Sequence, residues 1–389
     1  MYTRTIETVE GFASLGEVWN DLLDRSRLSS PFLTFEWLEA WWGEYAGEHA
    51  TMHVICCYDD AAHSLLGLLP TYVQRTSRPF PQRRLRFLGD GLGASLLDCI
   101  VDPEAAEHVL AAIADELIAN SSAWDVLDLR RMTETSPFRA LLADRLGQPG
   151  SRSVQEASGE CPAVSLPPNW ELYLGTLSRR ERSRLKRLRR DLDAAGTLDI
   201  EEIDDSDALP GALEDALSMF EEGMSRKHER TFEVSERYRR FMQSVSESFL
   251  AQGRLRLIFL TVDGRRTAFL YQIRHGDTMF AYQTAFDESW ASHHVGFAIF
   301  GYAIERAIAE GCACFSFGVG ATAYKFRFGV TDVRDLQGIR VYQPTPAGRL
   351  AFGRDASARW GKNVIKRLSP AVVSERLSRA ASWHGLERL

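Results

Sequence analysis

The chain has 389 residues, 45% of them hydrophobic and 25% charged, with a net charge of −7. That length is too great for one ordinary core and predicts two domains in a globular protein of average composition. The acidic balance excludes a general affinity for nucleic acid or anionic lipid, and no apolar run reaches the ~20 residues needed to span a bilayer.

The N-terminus has no apolar segment of signal-peptide type, so a cytoplasmic protein is expected. Its six cysteines then read as reduced, mostly buried small residues. Cys312 and Cys314 have no second Cys/His pair nearby, and no metal is expected.

The first half alternates helices and strands. Helical spacing covers Leu15–Arg25, and Phe35–Tyr45 carries Trp37 and Trp41 on one helix face. Flat aromatics there suit either a sugar face or a core. Strands are expected at Met52–Tyr58, Leu65–Gln74, Leu85–Leu88, Leu96–Val101 and Trp124–Leu129, with an amphipathic helix at Glu104–Ala119. The small polar stretch Ser151–Ser158 reads as a linker.

The second half repeats this plan, which hints at an internal duplication. Helices are expected at Asn169–Leu177, Arg179–Ala195, Pro210–Arg226 and Ser235–Gln252, and a strand at Leu198–Ile203. Asp263-Gly264 turns a hairpin between Leu255–Val262 and Arg266–Arg274. After the segment described next comes a strand at Gln337–Gln343, then a helical appendage, Ala347–Leu389. The expected fold class is α/β (α+β): two tandem domains, each a mixed, mostly antiparallel sheet flanked by helices. Their boundaries are expected at 1–150 and 160–345, with a helical extension over 346–389.

Between them lies the most informative stretch, Thr278–Gly329. A strand, Thr278–Ala285, breaks into the polar loop Asp287–His294. Gly296 then opens a helix that runs to Glu310, and a second strand covers Cys312–Val319. A strand leading into a helix N-terminus offers free N–H groups and partial positive charge, a seat for phosphate or pyrophosphate. Coenzyme A is one ligand that needs such a seat. Gly296 lets backbone approach phosphate without a Cβ clash.

His293-His294-Val295-Gly296-Phe297-Ala298 is similar to the pyrophosphate loop of the GNAT acyltransferase superfamily, Arg/Gln-x-x-Gly-x-Gly/Ala, with His293 where Arg or Gln is usual. Ser30-Pro31-Phe32 before the Trp-rich helix, the run Arg182–Arg190, and Ala323-Tyr324-Lys325-Phe326-Arg327-Phe328-Gly329 follow in the order of a particular family. Together they resemble the acetyltransferases named for cellulose biosynthesis (CelD/BcsL-like), which are related to the Fem-type aminoacyl transferases of peptidoglycan synthesis. The resemblance covers about residues 10–345. It implies tandem GNAT-like domains, acetyl-CoA or another acyl-CoA as co-substrate, and a donor site in the second domain. His293, His294, Val295, Gly296, Phe297 and Ala298 would hold the donor's phosphates. The backbone of Thr278–Ala285, which includes Thr284, would line its pantetheine arm.

Acyl transfer needs an anchored donor, a hydrogen-bond donor for the developing oxyanion, and a path for the acceptor's proton. In the Fem-type relatives a lysine in a similar aromatic-Lys-x-x-Phe-Gly setting lies at the catalytic centre, which points to Lys325 with Tyr324 beside it. Arg327 is placed to clamp phosphate. Strand alternation puts Tyr282 on a face with Phe280 and Thr284, and its polar tip could reach the reaction centre. Base candidates are His228, His293, His294, Asp287 and Glu288; ordered water is the alternative. Glu221-Glu222 could meet a cationic acceptor.

The helix Arg179–Arg190 holds eight Arg/Lys against one Glu. Three readings stay open for it: a solvated face, a hold for an anionic acceptor, or a contact with tRNA or a membrane surface. The expected function is acyl transfer from acyl-CoA to a small-molecule or lipid- or nucleotide-linked sugar of cell-envelope or exopolysaccharide synthesis, in association with membrane-bound synthesis proteins. DNA is not an expected partner. The alternatives are a Fem-type transferase using aminoacyl-tRNA, and a binding or scaffold protein with a decayed donor site.

Overall fold

The computed structural model describes residues 1–28, 30–76, 81–146, 151–228 and 231–368, with residue 228 and residues 361–368 described in backbone only. It divides the chain into two units: Met1–Gly159 with Asp335–Leu389, and Glu160–Arg334.

The first unit contains β1 (Tyr2–Ile6), α1 (Val9–Ala13), α2 (Gly16–Arg25), α3 (Phe35–Tyr45), β2 (Ala50–Met52), β3 (Val54–Tyr58), β4 (Leu65–Leu69), β5 (Thr71–Thr76) and β6 (Gln82–Phe87). It continues through β7 (Ile100–Val101), α4 (Ala106–Ala119), β8 (Val126–Thr133), α5 (Pro137–Arg145) and the start of β9 (Arg152–Ser165). Strands β1-β3-β4-β7 form an antiparallel sheet. Where Met52–Tyr58 and Leu65–Gln74 were each expected as one strand, each is two. His53 and Pro70 break them at the same level, and β2–β5 and β3–β4 pair in different sheets. Proline lacks the N–H a central ladder needs, and the corner is pinned by the His53 N–H donating to the Thr71 carbonyl at 3.0 Å. Trp37 and Trp41 are core residues, 0% and 2% exposed, so no sugar platform exists there. Of the strand expected at Leu96–Val101 only β7 forms; Leu96 sits at φ 57, outside strand geometry.

Ser151–Ser158 is no linker, because all of it after Ser151 lies within β9. The C-terminal boundary differs too. Strand β15 (Asp332–Tyr342) pairs antiparallel with β8, and α11 (Pro346–Leu368) sends Ala351 into a small core with Val126 and Tyr342. The described residues from Asp335 to 368 therefore belong to the first unit, and β15 and α11 contribute to its core and are not an appendage. Residues 369–389 of the expected extension lie outside the described residues.

A buried charge network ties these strands together. Asp128 in β8 bonds Arg84 at 3.0 Å, Arg130 at 2.9 Å and Arg340 of β15 at 3.1 Å, with Asp355 of α11 also on Arg84 at 3.2 Å. Burial alone would raise the Asp128 carboxyl; the guanidiniums of Arg130, Arg340 and Arg86 outweigh it and hold the group well below the usual carboxylate range.

The second unit holds the rest of β9, then α6 (Trp170–Thr176), α7 (Arg179–Ala195), β10 (Leu198–Ile203), α8 (Leu209–His228) and α9 (Glu236–Ala251). After these come β11 (Leu255–Val262), β12 (Arg265–His275), β13 (Thr278–Phe286), α10 (Val295–Ala309) and β14 (Cys314–Ser316). Its strands order as β10-β11-β12-β13-β14-β9, antiparallel except for the parallel β13–β14 pair. Asp263 at φ 49 and Gly264 at φ 75 make the expected two-residue hairpin turn. Ile258, Leu260, Ala268, Leu270 and Met279 face a core shared with α6, α7 and α10. On the other face, the hydroxyls of Tyr271 and Ser246 of α9 meet at 2.9 Å. α7 begins at a Ser178 cap and buries Leu185, Leu188 and Leu192 along one stripe.

Asp128→Asn is expected to cost about 3–5 kcal/mol at pH 7, because it leaves buried guanidiniums unpaired. A carboxylate whose folded pKa is depressed stabilises above its unfolded value, about 3.9, and loses that contribution as pH falls below it. Urea unfolding from pH 7 to pH 3 checks both points: the native protein loses stability over that range, and the variant loses less.

Candidate functional site

Three residue pairs join β13 to β14: Thr278 with Cys314, Met279 with Phe315, and Phe280 with Ser316. Beyond them the strands part. The chain after β14 stays with β9, as the Phe317 N–H donates to the Pro162 carbonyl at 2.9 Å and the Gly320 N–H to the Glu160 carbonyl at 2.8 Å. β13 runs on to Phe286 with no strand paired to that edge among the described residues. Gly318 is where the two stretches still approach closely: a Cβ there would stand 2.8 Å from the Ala281 carbonyl oxygen. The second strand is thus Cys314–Ser316 and not the expected Cys312–Val319.

β13 is also irregular. Its pairing with β12 passes from Tyr271–Gln283 to Gln272–Ala281, leaving Tyr282 as the extra residue of a bulge. This corrects the expected alternation. Tyr282 and Gln283 turn to the same partner, since the Tyr238 hydroxyl of α9 lies 3.2 Å from the Tyr282 hydroxyl and donates to Gln283 Oε1 at 3.3 Å. Tyr282 is half-buried beside the open edge. The Thr284 hydroxyl donates back to the Phe269 carbonyl at 2.7 Å, so its side chain belongs to the sheet and only its backbone lines the edge.

The helix start is built differently from its expected form. A 3₁₀ turn spans Glu288–His293, capped by Asp287. His294 then takes the left-handed conformation at φ 54 and caps α10 without using its side chain. Left-handed geometry in a non-glycine residue costs free energy and clusters at functional sites. The N–H groups of Phe297 and Ala298 return to the His294 carbonyl at 2.9 and 3.0 Å, while those of Val295 and Gly296 meet no acceptor among the described residues. Val295, Phe297 and Ala298 are buried, so of the expected seat only the backbone of Val295 and Gly296 is spare. Gly296 is open on one side only, because a Cβ would stand 2.8 Å from the Phe286 ring.

Tyr324, Lys325 and Arg327 lie on or beside a 3₁₀ turn, Lys325–Phe328. Lys325 is 5% exposed, and its Nζ donates to the carbonyls of Gly318 at 3.3 Å and Val319 at 3.1 Å, the stretch that has just left β13. Burial pushes its ammonium down to about 8 against a small opposing effect of Cys161. A buried cation without a carboxylate partner is costly and marks functional sites. Aromatic rings seat this turn on α10. Phe328 stacks on Phe297 at 4.3 Å, and Phe300 lies 5.7 Å from Tyr324. The Tyr173 hydroxyl donates to the Phe328 carbonyl at 2.9 Å. Burial raises the Tyr324 phenol to about 12, so it stays protonated. Arg327 is exposed at the same end.

Several expected acids and bases have other duties. Asp287 caps the 3₁₀ turn and pairs with Arg265, and Glu288 pairs with Arg226 at 3.4 Å. Glu221 accepts the Val234 N–H and the Arg239 guanidinium, both at 2.7 Å. His293 lies against Trp290 at 5.0 Å, and His294 is exposed. His228 ends α8, and its side chain lies outside the described residues. Among the described residues no cluster of three or more His, Cys, Asp or Glu could hold a metal, and no helix is long and apolar enough to cross a membrane.

Two features were missed in the sequence. The bulge at Tyr282 leaves no local signal. Arg184 of α7, one of a run of arginines, sets its guanidinium 4.7 Å from the Phe297 ring at the α10 start. Further along the same helix pair a cavity of about 300 Å³ is lined by Trp170, Leu185, Lys186, Arg189, Ala298 and Tyr302.

A sheet whose parallel neighbours part beside a helix N-terminus, with a bulge at the mouth, agrees with what comparison finds. Residues 179–326 match the family model described as an acetyltransferase (GNAT) domain, so the second unit carries a GNAT acetyltransferase domain. The whole chain is similar in fold to FemX, with a TM-score of 0.62 and 10% identity over 90% of this chain and 99% of that one. A protein of unknown function from Bacteroides thetaiotaomicron is similar at a TM-score of 0.56 and 13% identity, over 87% of this chain and 99% of that one. The C-terminal domain of a putative lysylphosphatidylglycerol synthetase from Agrobacterium fabrum follows at 0.51 and 14%, over 89% of this chain and 96% of that one. No curated protein matches the chain by sequence.

Gly329 closes the Lys325 turn at φ 73, and a Cβ there would stand 2.9 Å from Leu177. Gly329→Ala is expected to cost about 1–3 kcal/mol of stability through backbone strain alone; chemical denaturation of the two proteins measures it.

Proposed function

We propose that the chain is an acyltransferase that moves an acetyl or other acyl group from acyl-CoA to an amine or hydroxyl of a cell-envelope or exopolysaccharide precursor. The observation that carries this reading is the parting of β13 from β14 after Phe280, beside the spare N–H groups of Val295 and Gly296. An extended amide-bearing arm would pair with the open edge of β13, as a strand would. The phosphates would meet the α10 N-terminus, where the 3₁₀ turn brings Arg327 as a second charge.

The chemistry follows from position. The acceptor's nitrogen or oxygen attacks the thioester carbonyl, the carbon–sulfur bond breaks, and the acceptor's proton ends on the departing sulfur. Lys325 supplies positive charge at the wall of the cleft, and its ammonium has one N–H beyond the two given to Gly318 and Val319. Charge held in place before the reaction is what stabilises an oxyanion. The Tyr282 hydroxyl, held by the Tyr238 hydroxyl that itself donates to the Gln283 amide oxygen, is placed to hydrogen-bond the attacking group and orient it.

One observation favours a second reading. The basic α7 suits aminoacyl-tRNA as donor, with the same cleft and the same lysine.

Calorimetry with acetyl-CoA separates the two. Saturable binding that Gly296→Glu abolishes supports the acyl-CoA reading; no binding, with transfer that requires charged tRNA, overturns it in favour of the second.

Lys325→Ala is expected to lower kcat about 100-fold or more while KM for the acyl donor changes only a few-fold. If the ammonium is the active form, kcat/KM falls as pH rises through about 8, because the cation is lost above its pKa. A rate that climbs through the same range would assign Lys325 the role of base instead.

A further inference from the structure

We infer that Arg184 supplies the phosphate-binding cation that the loop before α10 lacks, and so makes α7 part of the donor site. The inference rests on the acyl-CoA reading above.

The loop position that carries Arg or Gln in the pattern is His293 here, and its ring is engaged with Trp290 at 5.0 Å. An anionic ligand at this end would find two spare N–H groups and no loop guanidinium. A guanidinium does reach the place, but from another element. Arg184 projects from α7 onto the ring of Phe297, in the first turn of α10, at 4.7 Å. Phe297 stacks in turn on Phe328, at 4.3 Å, in the turn that holds Lys325. Arg184, Phe297 and Phe328 therefore link the basic helix, the helix N-terminus and the lysine turn.

Arg184 is also chemically unfinished. Two other arginines of α7 are paired, Arg187 with Asp191 at 3.8 Å and Arg189 with Glu305 at 3.3 Å. Arg184 has no carboxylate partner among the described residues, Glu181 one turn back included, and its Nε is buried with no hydrogen-bond acceptor. A buried donor left unsatisfied costs about 1–3 kcal/mol. Stacking on an aromatic ring covers the guanidinium's face and leaves its two terminal nitrogens, the pair that takes phosphate oxygens side by side. The guanidinium on Phe297, the spare N–H groups of Val295 and Gly296 and the helix dipole all belong to the first turn of α10, and the ligand we assign to them is a pyrophosphate.

The test compares two acyl donors on the full chain: acetyl-CoA, and S-acetylpantetheine, which carries the same thioester and arm without phosphate. Arg184→Met is expected to weaken acetyl-CoA binding about 10- to 100-fold and to leave kcat/KM for S-acetylpantetheine within two-fold of native. Arg184→Lys should recover part of the loss, while Arg190→Gln, on the same helix, should change neither donor. Should Arg184→Met fail to fold, Arg184→Gln keeps a planar amide over Phe297 and carries the same comparison. Unchanged acetyl-CoA affinity, or an equal loss for both donors, overturns the role of Arg184 and leaves the acyl-CoA reading standing. A native protein that binds no acetyl-CoA removes both.

Discussion

The candidate site of the second unit depends on how soon two strands separate. Had β13 and β14 stayed paired to the end of β13, the edge from Ala281 to Phe286 would be closed by backbone hydrogen bonds and nothing extended could enter. Separation is possible because the chain after Ser316 has another partner in β9, so its N–H groups are satisfied while β13 is left open. Lys325 then holds the diverging stretch by its carbonyls. An unpaired strand edge is normally a liability that a protein covers; here it borders a helix N-terminus, a bulge and a buried cation.

Lys325 shows how such a group is held. Aromatic rings from α10 and the 3₁₀ turn surround its segment, and they remove the water that would otherwise solvate the ammonium. The two carbonyls that replace that water are dipoles, not charges, so the cation keeps some of its cost. That residual cost brings its pKa close to neutrality, where a proton can be held or moved.

Much of this was legible in the chain. Periodicity located α3, α7, α9 and α10 within a residue or two, and Asp263-Gly264 fixed the hairpin because only a left-handed pair turns that tightly. The Gly296 and Lys325 motifs fell at one end of one helix. What escaped was set by partners distant in sequence. Whether β14 ends at Ser316 or Val319 depends on β9, about 150 residues away. The bulge at Tyr282 depends on register with β12. The segment from Asp335 onward reads as a strand and helix in either half; Asp128, through Arg340, decides which half it joins. Arg184 was hidden by its own neighbours, since one arginine among the seven of Arg179–Arg190 carries no mark of which ring it covers.

The second unit enters at β9 and leaves at β15, and those two points touch. Within the unit the Thr331 N–H donates to the Ala163 carbonyl at 3.0 Å, and the Ser165 N–H to the Thr331 hydroxyl at 2.9 Å. Its beginning and end are therefore clasped side by side, and the whole module is, to the chain that hosts it, a loop already closed. The entropy of bringing distant ends together is met inside the module. Such a module can be exchanged for another with the same clasp, so the candidate site it carries can change without redrawing the host's core.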